Sequence, residues 1–73
     1  MTVFDLSAGE SAKITAVGVS GAAAQRLVSL GVVRGATVRA LAFSLFKSSV
    51  LISVPPVRVA LRRAVASQIE VEK

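Results

Sequence analysis

The stretch Arg26-Leu27-Val28-Ser29-Leu30-Gly31-Val32-Val33-Arg34-Gly35 decides the fold of this chain. Leu27 and Leu30 stand three residues apart, the spacing that puts two side chains on one helix face. Gly31 follows where a left-handed residue closes a helix without a Cβ penalty. Val32-Val33 makes a two-residue apolar step, and Gly35 suits a turn before Thr37 and Val38. The stretch predicts a short helix that stops at Gly31 and is clamped onto a small β-sheet.

Upstream, residues 3–10 read as an extended lead-in with Phe4 and Leu6 on one face, ending in a turn at Ser7-Ala8-Gly9-Glu10. Alternation predicts a strand over Ser11 to Val17, with Ile14 and Ala16 inward and Lys13 and Thr15 outward. Gly18 to Gly21 breaks it. Ser20 is placed to cap a helix from about Gly21 to Leu30, although Ala23 supplies no capping box. Downstream, Thr37 to Phe43 alternates Val38, Ala40 and Ala42 against Arg39, Leu41 and Phe43. Val50 to Val54 and Val57 to Leu61 are two more strands around Pro55-Pro56, which belongs in a tight connection or at an edge. A helical turn over Arg62 to Ser67 precedes a last strand, Gln68 to Glu72. The chain is thus mostly β with one or two short helices, a small, strongly bent antiparallel barrel whose closure would remove most free strand edges.

With 73 residues, the chain is a single domain spanning 1–73. Its 53% hydrophobic content supports a real core and leaves apolar surface for a partner. Cysteine and histidine are both absent, which removes disulfides, thiolate metal sites, the commonest general base and the commonest soft-metal ligand. The acids Asp5, Glu10, Glu70 and Glu72 lie near chain or strand ends. Glu70 and Glu72 share a strand face, which reads as a solvated edge rather than half of a metal site. No phosphate-cradling glycine loop occurs, and the serines have no histidine to activate them. No catalytic, metal-ligating or cofactor-binding residue is assigned, and an enzyme is not expected. The N-terminus lacks the basic and apolar regions of a signal peptide. The longest charge-free run, Ile14 to Gln25, is too short and glycine-broken to span a membrane. A cytoplasmic domain without membrane insertion is the expectation.

Formal charge is +5, from nine Lys and Arg against four acids. Most of that charge reads as a solvated surface. The cluster Arg58, Arg62 and Arg63 suits an acidic partner better. A small basic nucleic-acid-binding barrel is the alternative function. It is weakened by an aromatic inventory of three Phe with no Trp or Tyr, since single-strand readers stack bases on aromatic rings. The same shortage argues against a proline-rich ligand. Apolar surface is the stronger clue. If Val38, Ala40 and Ala42 face in, the pleat sends Leu41 and Phe43 out. There they either form a second small core under the helix or stay open. Leu45 and Phe46 fall at the tip of the Ser44–Ser49 hairpin loop and are expected to be partly exposed. Arg39, Arg58, Arg62 and Arg63 would rim such a patch. Leu41, Phe43, Leu45, Phe46 and these four arginines are the candidate protein-interaction residues.

In order along the chain come Gly9 before an Ile-containing strand, Arg26-Leu27, Leu30-Gly31-Val32, Gly35, an apolar strand pair, Val59-Ala60-Leu61-Arg62, Ala66, and Ile69-Glu70-Val71. This set resembles the FeoA family, small SH3-like domains associated with bacterial ferrous iron uptake, and it covers nearly the whole chain. Three positions depart from the family's pattern. Arg34 stands where proline is frequent, Ser44 to Ser49 replaces a Gly-, Asp- and Pro-rich loop, and Pro55-Pro56 replaces a glycine-containing turn. The resemblance implies an SH3-like fold and an accessory or regulatory role beside FeoB, the membrane iron transporter with a cytoplasmic GTP-binding domain. It does not imply that this chain carries iron. The cytoplasmic part of FeoB would be the partner, with homo-oligomers left open. Related domains also end metal-dependent repressors of the diphtheria-toxin-repressor type, a reading disfavoured by the lack of a helix-turn-helix.

Overall fold

A computed structural model describes all 73 residues and places five strands close to where alternation predicts them. They are β1 (Ser11–Val17), β2 (Thr37–Phe43), β3 (Ser49–Val54), β4 (Val57–Arg62) and β5 (Ile69–Glu72). Helix α1 spans Gly21–Ser29 and α2 spans Arg63–Ala66. The strands form one antiparallel sheet in the order β4-β3-β2-β1-β5. Fifteen buried residues, all apolar, fill its concave side, with Ile14, Val38, Val50, Ile52 and Ile69 almost fully enclosed. No helix is long and apolar enough to cross a membrane.

The end of α1 follows the expected device. Gly31 has φ +85°, its N–H donates to Val28 O (3.0 Å), and the Val32 N–H donates to Leu27 O (2.9 Å). These two bonds satisfy last-turn carbonyls, and Leu27 and Val32 are both buried to seal the end. Gly35, also left-handed, donates its N–H to Ile14 O, while the Ile14 N–H donates to Ala36 O, which pins the loop to β1. Ser20 occupies the N-cap position, but its side chain makes no capping bond.

Three expectations are corrected. The lead-in is not extended, because Val3–Asp5 forms one 3-10 turn. The Asp5 carboxylate accepts the Thr2 N–H at 2.7 Å. A three-residue period aligns i with i+3, so Val3 and Leu6 are buried together and Phe4 is only half-buried. In β1, the register against β5 slips between Ile14 and Ala16. In β2, the register against β3 slips between Ala40 and Ala42. An extra residue in a strand of period two inverts every side chain beyond it. Val17 rather than Ala16 therefore packs on the core, and Phe43 turns inward while Ala42 is exposed.

The sheet curls but its ladder does not close. The outer edge of β5 is covered by the N-terminus, through a Thr2–Glu70 bridge and a bond from the Val71 N–H to Met1 O. The outer edge of β4 pairs with no strand.

Candidate interaction surface

The convex face of β2-β3-β4 is assembled by register. Ser11, Arg39, Ser53 and Arg58 form one row across four strands, with the Arg39 Nε–H donating to Ser11 Oγ at 3.1 Å. Two residues further along β3 and β4, Ala42, Leu51 and Ala60 form an apolar row. Arg62, paired with Ser49, bounds its far side. Leu51 is 38% exposed, and short alanines on either side leave it standing proud. Leu41, the bulged residue, is half-buried in a shallow recess beside Arg39, Ser53, Pro55 and Arg58. An apolar strip framed by arginines is the arrangement of many protein contacts.

Phe43 leaves this face. Its ring lies 5.9 Å from that of Phe4, centre to centre, at 43°. The Lys47 ammonium sits 5.0 Å above Phe43, and the Arg63 guanidinium sits 5.4 Å from Phe4. Such cation–ring contacts are worth about 0.5–1 kcal/mol at exposed positions. Arg63 is therefore held over the Phe4 ring of this aromatic pair, away from the face of β4 that Arg58 and Arg62 share. The sequence cluster Arg58, Arg62 and Arg63 is split by the fold.

At the hairpin tip, Leu45 is 80% and Phe46 88% exposed. The loop is nonetheless wired. The Ser49 N–H donates to Ser44 Oγ (2.8 Å), the Lys47 N–H to Ser44 O (2.8 Å), and the hydroxyls of Ser44 and Ser48 bond at 2.9 Å. Phe46 and Lys47 both have positive φ, at 63° and 53°. Left-handed backbone costs an L-residue about 1–2 kcal/mol. An ordered, strained loop thus presents two large apolar side chains to solvent.

Two apolar grooves flank α1, and sequence reasoning placed neither. One, of about 410 Å³, runs between β1 and α1 past Val17, Ala24, Val28 and Val33. The other, of about 360 Å³, runs between α1 and β4 past Ala22, Ala23, Arg26, Ala60 and Arg62. Their origin is legible in Gly21-Ala22-Ala23-Ala24, whose small side chains cannot fill the space against the sheet, so that Leu27 is the sole buried residue of α1.

The acids are dispersed. Glu10 accepts the Ser7 N–H at 2.9 Å and pairs with Lys73, the single ion pair of the chain. The Lys73 ammonium and the Ser7 N–H hold its carboxyl below the ordinary value of 4.5. Glu72 stands opposite Lys13 in the ladder. No three acids converge on a point.

A family model described as FeoA domain matches residues 1–73. No curated protein matches the chain. Among solved structures, the chain is similar to a Chlorobium tepidum FeoA protein at 32% identity and TM-score 0.89, covering 97% of this chain and 68% of that one. Stenotrophomonas maltophilia FeoA complexed with zinc, described as a procaryotic SH3 domain protein and candidate ferrous iron transport activating factor, is 33% identical with TM-score 0.84. That match covers 99% of this chain and 89% of the other. Iron(II) transport protein A from Clostridium thermocellum is 28% identical with TM-score 0.89 over 99% of this chain, which spans 44% of that protein.

Proposed function

The chain belongs to the FeoA family, and from that premise we propose that it is a non-enzymatic accessory module of ferrous iron transport. It acts on the cytoplasmic side by docking to the GTP-binding part of a FeoB-type transporter, biasing that protein's assembly or nucleotide cycle. The description of the Stenotrophomonas protein as a candidate activating factor supports the accessory role. The observation that carries the docking is the hairpin tip, where Leu45 and Phe46 are exposed at 80% and 88% on a strained, hydrogen-bonded loop. Strain of this kind tends to be kept where a binding partner uses the conformation. Exposed apolar side chains on an ordered loop also carry an aggregation liability unless something covers them.

The test is the double variant Leu45→Ser, Phe46→Ser. Because both side chains are exposed, its thermal midpoint should stay within about 2 °C of the parent, a shift of well under 1 kcal/mol in so small a domain. Its affinity for the purified cytoplasmic domain of the transporter should fall about tenfold or more, as for an apolar hot spot. Normal binding by a variant that melts much earlier would overturn the reading. A second reading, a nucleic-acid-binding barrel, is favoured only by the row Arg39-Ser53-Arg58, which includes no acid. It requires binding to fall steeply with salt and to depend on Arg58 and Arg62 rather than on the tip.

A further inference from the structure

The free edge of β4 has its own chemistry, and it stands whatever the hairpin tip binds. The β3–β4 ladder begins at Val54 opposite Val57, straight after Pro55-Pro56, and ends with the Arg63 N–H donating to Ser48 O at 2.9 Å. Antiparallel ladders alternate, so the backbone groups of Val57, Val59 and Leu61 point into the sheet. Those of Arg58, Ala60 and Arg62 point away from it. No turn or loop bond uses the outward groups of Arg58 and Ala60 or the Arg62 N–H, whereas the Arg62 carbonyl, at the N-cap of α2, accepts the first bond of that helix; all three residues are exposed. The groove of about 360 Å³ between β4 and α1 runs along this edge, where Ala22 and Ala23 leave room beside the strand. An added strand would lie about 4.8 Å from β4.

We propose that this edge accepts an extended partner segment by strand addition, and that the segment carries the pattern acid–any–apolar–any–acid. Arg58, Ala60 and Arg62 alternate onto one face of β4, so residues paired with them on an added strand share that face. Carboxylates opposite the two arginines and an apolar side chain opposite Ala60 complete it. Arg26 on α1 joins Arg62 in the lining of the groove, no acid lines it, and Arg58 follows along the same strand edge. None of the three arginines pairs with a carboxylate of this chain. The same charges reject a second copy. Antiparallel self-pairing about Ala60 would set Arg58 against Arg62 of the other copy twice, and like charges directly opposite are destabilising. Arginine on a free edge thus blocks self-association while admitting an acidic strand.

The experiment is amide hydrogen exchange on the labelled full chain with the capped peptide Thr-Glu-Thr-Val-Thr-Glu-Thr. A matched peptide with both glutamates changed to lysine is the control. At free peptide of about nine times its Kd, exchange at Arg58, Ala60 and Arg62 should slow about tenfold, the inverse of the unbound fraction. Val57, Val59 and Leu61, already in the ladder, should change little. The lysine peptide should protect none of them. The exposed double variant Arg58→Glu, Arg62→Glu should reverse the preference. Three results would each overturn the proposal: no protection at millimolar glutamate peptide, equal protection by both peptides, or protection of the three amides without peptide as protein concentration rises.

Discussion

Substituting Gly31 isolates the backbone conformation that ends α1. A Cβ built on Gly31 would meet only Val54 Cγ1, at 3.8 Å, an ordinary contact, so steric crowding contributes almost nothing. The cost therefore comes from φ +85°. Placing an L-residue in the left-handed region costs about 1–2 kcal/mol. Loss of chain freedom in the unfolded state returns about 0.4–1 kcal/mol of that. Gly31→Ala should then destabilise by about 1 kcal/mol, or about 4–8 °C in a domain of this size. Gly31→Val, with a β-branched side chain in the same backbone well, should cost about 2 kcal/mol. Gly31→Asn should cost less than about 0.5 kcal/mol, because asparagine visits this region readily. Against a total of about 4–11 kcal/mol for a chain of this length, all three variants stay folded and measurable. Urea titrations with a common slope provide the ranking, and exchange at the Val32 amide reports locally on its bond to Leu27 O. Equal costs for asparagine, alanine and valine, or a stabilising alanine, would show that position 31 is not held left-handed and that the clamp has another origin.

Three further outcomes are expected. Leu27→Ala, which removes the one buried side chain of α1, should destabilise by about 2–4 kcal/mol and loosen both grooves, as read by urea titration. Glu10 is held below its ordinary value of 4.5 by Lys73 and the Ser7 N–H, so its contribution is complete above that pH and is lost as pH falls through the lower folded-state value. Glu10→Gln should therefore flatten the acid limb of a stability profile and leave the neutral region nearly parallel to the parent. Calorimetric titration with Zn(II) or Fe(II) should give no saturable binding at micromolar affinity, because the chain has no His or Cys and its four acids are dispersed.

The elements of this fold were legible because each rests on a local rule: alternation for the strands, Leu27 to Gly31 for the helix and its stop, Pro55-Pro56 for the tight connection. The candidate surface was less legible because its composition depends on register. Nothing around Thr15 or Leu41 marks a bulge; neither glycine nor proline stands there, and the extra residue is defined only by what the neighbouring strand places opposite. The bulge at Leu41 exchanges Ala42 for Phe43 on the convex face, which moves the aromatic ring from the expected patch to a cation-capped pair with Phe4. Leu51 and Ala60, by contrast, follow from unbroken alternation in β3 and β4, where the short hairpin holds the register from Val54–Val57 to Ser49–Arg62. The arginines show the same division. Arg58 and Arg62 flank Ala60 in any strand reading of Val57 to Arg62. Arg39 reaches their face only because Ser53 pairs with both Arg39 and Arg58. The tip could be anticipated from its flanking serines and lysine, whereas its left-handed Phe46 and Lys47 could not, since neither residue type favours that backbone. Where a residue contradicts its local preference and still sits on an ordered, exposed loop, conformation has been retained at a cost to the fold, and that makes Leu45-Phe46 the first place to look for a partner.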